Sequence, residues 1–186
     1  LLGPAWYSAD FGNVHLVFLG GSSPENDTRR GVWLEQDMSL LGRGKQVIAV
    51  LSDAPDAVLL DRMRRLGIKA VFHSGTFSNQ ILGHRDGMAI VGQSPLLMGG
   101  MDGSPASFRI VTVNGASISS EFRVRGTREL LSLPYPQTEL SAQQRVMANI
   151  YDSLRGVSEA RFRIAGPHGI VGDGAMKKVG PFTWMG

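Results

Sequence analysis

Val47-Ile48-Ala49-Val50-Leu51-Ser52-Asp53-Ala54-Pro55 and, further on, Leu66-Gly67-Ile68-Lys69-Ala70-Val71-Phe72-His73-Ser74-Gly75-Thr76-Phe77 decide the fold. Each opens on a short apolar, β-branched run without alternation, which is how a strand covered on both faces reads. Between the runs, Pro55 opens and Gly67 closes a periodic stretch through Ala57, Val58, Leu59, Leu60, Met63 and Leu66. Proline near the start and glycine past the end mark a helix. The unit is therefore predicted to be a βαβ crossover joining parallel strands Val47–Leu51 and Ile68–Phe72. In such architectures, binding and reacting groups collect where strands end, because the sheet fixes their geometry. Here those points carry Ser52-Asp53 and His73-Ser74-Gly75-Thr76-Phe77-Ser78-Asn79.

Upstream, Trp6–Phe11 and Val14–Leu19 read as strands joined by Gly12-Asn13. Gly20–Thr28 reads as a polar loop. Gly31–Leu41 reads as a helix with Val32, Trp33, Leu34, Met38 and Leu41 on its apolar side and Gly42 ending it. Downstream the pattern turns antiparallel. Gln80–Gly83 and Met88–Gly92 flank the turn sequence His84-Arg85-Asp86-Gly87, and Phe108–Val113 and Ala116–Val124 flank Asn114-Gly115, a strong hairpin signal. On the second arm, Ile118, Ser120, Phe122 and Val124 share the inward face. Gly126–Gln137, with two prolines, reads as a linker. Ser141–Leu154 reads as a helix, with a Ser141/Gln144 capping box, Gly156 beyond it, and Val146, Met147, Ile150, Tyr151 and Leu154 on one face. Ala160–Ile164 and Gly180–Trp184 read as a β-rich tail. The expected class is α/β of the α+β kind: a domain over 1–125, a linker over 126–140, and a helix with a β tail over 141–186.

A chain of 186 residues with 42% hydrophobic and 19% charged content is long enough for one core and a small appendage, and is not disordered in composition. The net charge is +3, and the basic groups Arg62-Met63-Arg64-Arg65, Arg123–Arg128 and Lys177-Lys178 lack interleaved aromatics. That argues against a nucleic-acid partner and for a solvated helix face in the first group. No cysteine is present, so disulfides, Cys-based zinc sites and thiol nucleophiles are excluded. No apolar run reaches the ~20 residues that span a bilayer. The sequence opens on Leu1 without methionine, as a processed product or a piece of a longer chain would.

The candidate chemistry is sparse. His15 reads as a mid-strand structural residue, and His84 and His168 as solvated turn residues. His73 is the residual metal-ligand candidate, set against a hydrogen-bonded structural role. Asp53 before Ala54-Pro55 reads as the cap of the following helix. Asp10 and Asp102 have no partner at an informative spacing. Gly99-Gly100-Met101-Asp102-Gly103 lacks the Lys-Ser/Thr of a phosphate loop. Ser22, Ser52 and Ser74 lack a nucleophile elbow. Trp6, Trp33 and Trp184 read as core or interface anchors.

Taken in order, Tyr7–Leu19, Trp33-Leu34-Glu35-Gln36-Asp37, Leu66–Phe72 and Phe108–Arg123 resemble the calcineurin-like metallophosphoesterases, the purple-acid-phosphatase branch in particular, over roughly residues 5–125. The resemblance implies the C-terminal half of a two-layer metallophosphoesterase sandwich. In that family two metal ions about 3.5–4 Å apart activate a water and clamp a phosphate. This chain begins after the family's upstream ligand motifs and departs at the remaining ligand positions. Ser52-Asp53 stands where a histidine belongs, and Gly75 and Phe77 stand at the two histidines of a Gly-His-x-His pair. The resemblance therefore implies no catalytic residues, no cofactor and no metal. It points to a catalytically inactive domain kept as a structural or protein-interaction subunit of a larger assembly, with an extracytoplasmic compartment favoured. The alternative is the C-terminal piece of an active metal-dependent phosphoesterase whose metal site lies upstream. Ala160–Ile164 and Gly180–Trp184 are similar to the opening strands of the β-sandwich modules that follow such domains. A sandwich needs about 100 residues, so a partner or further chain would complete that sheet.

Overall fold

The computed structural model describes all residues except 1–4, 22–23, 43, 77, 86, 102–103, 127–130, 137–144, 152–156 and 181; at 24–27 and 80–85 the backbone alone is described. The chain is mixed α/β, with strands predominating and parallel and antiparallel pairings both present. Its contacts divide it into two units, one of Leu1–Ser94 with Val111–Ser120 and one of Pro95–Ile110 with Glu121–Gly186.

The first unit is built on a six-stranded sheet in the order β1-β2-β3-β4-β6-β5. Its strands are β1 (Trp6–Phe11), β2 (Val14–Leu19), β3 (Gln46–Leu51), β4 (Ala70–His73), β5 (Gln80–Arg85) and β6 (Met88–Gly92). β2, β3, β4 and β6 run parallel, while β1 and β5 close the two edges antiparallel. The expected crossover is present: β3, helix α2 (Ala57–Arg65), then β4 paired parallel to β3 with Leu51 opposite His73.

Helix α2 stops as its sequence dictates. Gly67 takes φ +80°, its N–H bonds the Arg64 carbonyl at 3.0 Å, and the Ile68 N–H bonds the Met63 carbonyl at 3.1 Å. This is the glycine-terminated C-cap, with its hydrophobic partners Met63 and Ile68 both in the core. At the other end the cap is Asp56, whose Oδ1 accepts the Leu59 N–H at 2.7 Å, and not Asp53 as expected. An N-cap must stand directly before the first helical residue to reach the N2 or N3 amide, and Asp53 lies too far upstream.

Helix α1 spans Pro24–Ser39, so it starts well before the expected Gly31 and takes in most of what reads as a loop. Proline suits the first helical position, where its fixed φ is helical and no N–H is needed. Thr28 and Arg29, further along, are exposed, so their polarity marks a solvent side and not a break.

The in-register pairs assign the residues of β1, β2, β3, β4 and β6 to a face. Trp6, His15, Val17, Leu19, Val47, Ala49, Leu51, Val71 and Ile90 share one face, and Leu34 of α1 and Met63 of α2 complete a buried core against it. Both helices therefore lie on this side. The opposite face carries Tyr7, Ala9, Phe11, Val14, Leu16, Phe18, Ile48, Val50, Ala70, Phe72, Ala89 and Val91. There Leu16, Phe18, Val50 and Phe72 are only half-buried, and Tyr7 and Phe11 are 49% and 63% exposed. The β3 run thus reads correctly as apolar on both faces, but the described residues cover only one of them fully. Tyr7 stacks on Phe18 across the hairpin, ring centroids 4.6 Å apart.

Hairpin β7 (Ser107–Asn114)–β8 (Ser117–Val124) turns at Asn114-Gly115, as expected. In the second unit, Phe122 joins Tyr151 and Phe182 in an aromatic cluster with centroids 4.6–5.5 Å apart, and the Arg109 guanidinium lies 5.5 Å from the Phe122 ring centre. The unit's sheet runs β11-β12-β13-β10-β9, from β9 (Leu131–Tyr135), β10 (Met147–Ile150), β11 (Ala160–Gly166), β12 (Gly169–Lys178) and β13 (Thr183–Met185).

Two expectations are corrected here. The proposed linker contains β9. The expected helix over 141–154 is, at Met147–Ile150, a strand paired on both sides. Its helical spacing arises because Val146, Ala148 and Ile150 also satisfy a period of two, and cross-strand pairing overrides a marginal helix pattern. The Ser141/Gln144 capping box and Gly156 lie outside the described residues.

Leu34 and Leu40 sit on the same helix-forming stretch, one fully buried and one 87% exposed. Leu34→Ala is expected to cost about 2–5 kcal/mol by urea unfolding, and Leu40→Ala under about 0.5 kcal/mol.

Candidate functional site

The ends of β3, β4 and β6 bring most of the sequence-predicted positions together. Leu51 stands opposite His73, and His73 opposite Gly92, so the three following loops leave the sheet side by side. Small hydroxyls stitch them. Ser52 Oγ donates to Asp53 Oδ2 at 2.7 Å and accepts the Gly21 N–H at 3.3 Å, and Ser74 Oγ donates to the Ser52 carbonyl at 2.7 Å. Below them Asn79 Nδ2 donates to Ser94 Oγ at 2.8 Å, and Asn79 Oδ1 accepts the Ser94 N–H at 3.2 Å.

Gly75 is required by space. A Cβ added there would stand 2.8–2.9 Å from the Asp53 carbonyl carbon and Cα, and nearer still to the Ala54 nitrogen. These are backbone atoms, which cannot swing aside as a side-chain tip can. Its φ lies outside the positive range, so the constraint is packing alone. No side chain, and so no metal ligand, fits at this position while the loops are closed.

His73 is 2% exposed, and neither ring nitrogen has a hydrogen-bond partner among the described residues; Ser78 Oγ is buried and unpartnered in the same way. Burial holds the imidazole below its ordinary pKa, hence neutral. The ring passes over Gly92, where an added Cβ would meet His73 Cε1 at 3.3 Å and Thr76 Oγ1 at 2.9 Å. A lone neutral imidazole is one donor set of the several a two-metal centre needs. Among the described residues no group of three or more His, Asp or Glu side chains could hold a metal ion. The described residues of the crevice supply fewer ligands than a two-metal centre takes. Phe77, the other altered ligand position, and Asp102 lie outside the described residues.

A second polar cluster sits on the helix-covered face, where sequence reasoning left Asp10 without a partner. The Gly12-Asn13 turn pairs Asp10 directly with His15, and His15 Nδ1 lies 2.8 Å from Asp10 Oδ1. His15 Nε2 lies 2.9 Å from Asp37 Oδ2, Ser8 Oγ donates to Asp37 Oδ1 at 2.8 Å, and Lys45 Nζ lies 2.9 Å from Asp10 Oδ2. The turn length was the available signal for the first pair, since a two-residue connection sets the register of a hairpin. Asp37 depends on how α1 lies across the strands, which no local pattern encodes. A cavity of about 250 Å³ opens beside the cluster, lined by Ser8, Asp10, His15, Asp37 and Leu40 among others. The arrangement is not a nucleophile triad, because the serine bonds a carboxylate and both imidazole nitrogens are engaged. It ties β1 and β2 to α1.

His84 lies in β5, not in the turn after it, and only its backbone is described. His168 is exposed in the β11–β12 turn, as expected. Trp6 and Trp33 pack on the first unit's core, and Trp184 is in the second's. No protein-family model matches the chain, and no curated protein matches it.

Two predictions follow from this geometry. Gly75→Ala is expected to lower stability by about 1–3 kcal/mol in urea unfolding, the range of an overpacked site; a neutral result would show that the two loops part readily.

The second concerns the His15 clamp. Burial opposes protonation of His15, but its bonds to Asp10 and Asp37 outweigh that and raise its pKa above 6.5. Its contribution is then complete below 6.5 and lost as pH rises through the raised value. Bonds from His15 and Lys45 lower the Asp10 pKa below 3.8, so its contribution is present above 3.8 and lost as pH falls through the lowered value. The stability gap between wild type and His15→Gln should therefore be wider at about pH 5.5 than at about pH 9 by urea unfolding. Equal gaps would mean that His15 is not held as a cation.

Proposed function

We propose that this chain is a catalytically inactive, metallophosphoesterase-like domain that acts as a structural or protein-interaction subunit of a larger assembly. The observation that carries the reading is the apolar, incompletely covered face of the six-stranded sheet, from Tyr7 and Phe11 through Phe18 and Val50 to Phe72. A largely parallel sheet is stable when both faces are covered, and contiguous apolar surface of this kind marks an interaction site. The partner surface implied is itself apolar and sheet- or helix-like.

The inactive half of the reading draws on the crevice. Gly75 is closed off by the Asp53–Ala54 backbone, and Ser52 and Ser74 spend their hydroxyls on neighbouring loops. Removing clustered charged ligands also removes their mutual repulsion, so a scaffold of this type needs no metal to fold.

The alternative, the C-terminal part of an active phosphoesterase, is favoured by one feature: the buried imidazole of His73, which has no hydrogen-bond partner among the described residues.

Native mass spectrometry of the protein from its source, with metal analysis and a phosphate-ester assay, separates the two. The expected result is a metal-free chain in a stoichiometric complex that dissociates in the exposed-face variant Tyr7→Ser/Phe11→Ser, with no metal-dependent turnover. Two transition-metal ions per chain, with turnover lost in His73→Ala or Asp53→Ala, would overturn the proposal.

A further inference from the structure

The second unit offers a different kind of surface, open along strand edges. Its sheet begins at β11 and ends at β9, and neither strand pairs on its outer side with any described residue. The two edges nevertheless line one cavity of about 430 Å³, with Leu131, Leu133 and Pro136 on the β9 side and Ala160, Phe162 and Ile164 on the β11 side. Leu131 and Leu133 are 56% and 54% exposed. Free backbone donors and acceptors on both sides of an apolar trough call for a group that meets both needs at once, and an extended backbone does so. Pro134 removes one N–H from β9, which edge strands tolerate. β11 is the better template, with seven residues and no proline.

The residues of β11 define the occupant's pattern. Along β11 the half-buried Phe162 and Ile164, packed on the unit's core, alternate with the exposed Arg161 and Arg163, and all four border the cavity. A strand added beside β11 places its own alternate residues next to these two sets. Inward positions must be apolar. Outward positions stand against two guanidinium groups, only partly answered by Glu159, 3.6 Å from Arg161, and by Asp173, opposite Arg163 on β12.

We infer that the groove between β9 and β11 accepts an extended partner segment of alternating apolar and acidic residues, added as a strand along β11. The inference deepens the interaction reading above and rests on it.

The probe is the capped heptapeptide Glu-Val-Glu-Val-Glu-Val-Glu, with Lys-Val-Lys-Val-Lys-Val-Lys as its counterpart, followed by binding and by amide hydrogen exchange on the full chain. The acidic peptide is expected to bind about tenfold more tightly than the basic one, a size suited to two solvent-exposed charge pairs that attract in one case and repel in the other. It should slow exchange over Ala160–Gly166 and Leu131–Tyr135. Arg161→Glu/Arg163→Glu, at two exposed positions, should reverse the preference with an unchanged circular dichroism spectrum. Equal binding of the two peptides, no binding, or protection elsewhere would overturn the inference. So would protection of the same edges by self-association in sedimentation without peptide, since the occupant would then be a second copy. Failure here alongside a stoichiometric, metal-free native complex would remove the groove and leave the interaction reading standing; metal-dependent turnover would remove the interaction reading itself.

Discussion

β3 and β4 lie side by side in parallel, with Leu51 opposite His73, and much of the first unit follows from that register. The pairing brings the backbone after β3 against the backbone after β4, and the contact at Asp53–Ala54 and Gly75 leaves no volume for a side chain. With the loops in contact, the Ser74 hydroxyl bridges to the Ser52 carbonyl, and Ser52 Oγ in turn accepts the Gly21 N–H from the loop after β2. The same register carries His73 under the sheet's covered face and across Gly92, where burial strips its ring of water and no described residue supplies a partner. An unpaired buried polar group is costly, and His73 bears that cost in its neutral form, the cheaper of its two states to bury.

The covered face shows how polar groups survive among apolar ones. His15 is nearly as buried as His73, yet both of its nitrogens are met, by carboxylates from β1 and from α1, and Lys45 meets the second carboxylate oxygen of Asp10. One histidine is thus protonation-favoured and the other protonation-averse on one sheet face. The difference lies in what the neighbouring elements present at opposite ends of that face, near the start of β2 for His15 and at the end of β4 for His73.

The two units expose apolar surface differently. In the first it is a sheet face, suited to a broad partner; in the second it is a trough between strand edges, suited to an extended one. The exposed tip Leu96, Leu97, Met98 and Met101 adds a third patch, on a loop held by Gly99 and Gly100 backbone bonds to Pro95 and Ser104. It is on exposed apolar surface of this kind that the proposed role in an assembly draws.

Local pattern alone determined a good deal here. The βαβ unit, the hairpins at Gly12-Asn13 and Asn114-Gly115, the glycine stop of α2 and the hydroxylic character of the strand-end loops are written in neighbouring residues, because turn chemistry and capping act over only a few positions. The β11–β12 hairpin at Pro167-His168 is not signalled in this way. Even the Asp10–His15 pair was legible once the Gly12-Asn13 turn set the register. What tertiary structure decided were the matters that depend on distant partners. Met147–Ile150 became a strand because β9 and β13 flank it, against a spacing that also suited a helix. Asp37 found His15 because α1 crosses the hairpin. Gly75 revealed its reason only when Ala54 was seen against it. Sequence encodes each residue's own preferences over a few positions, whereas packing contacts join residues far apart along the chain, and those contacts gave this protein its closed crevice, its clamped histidine and its open groove.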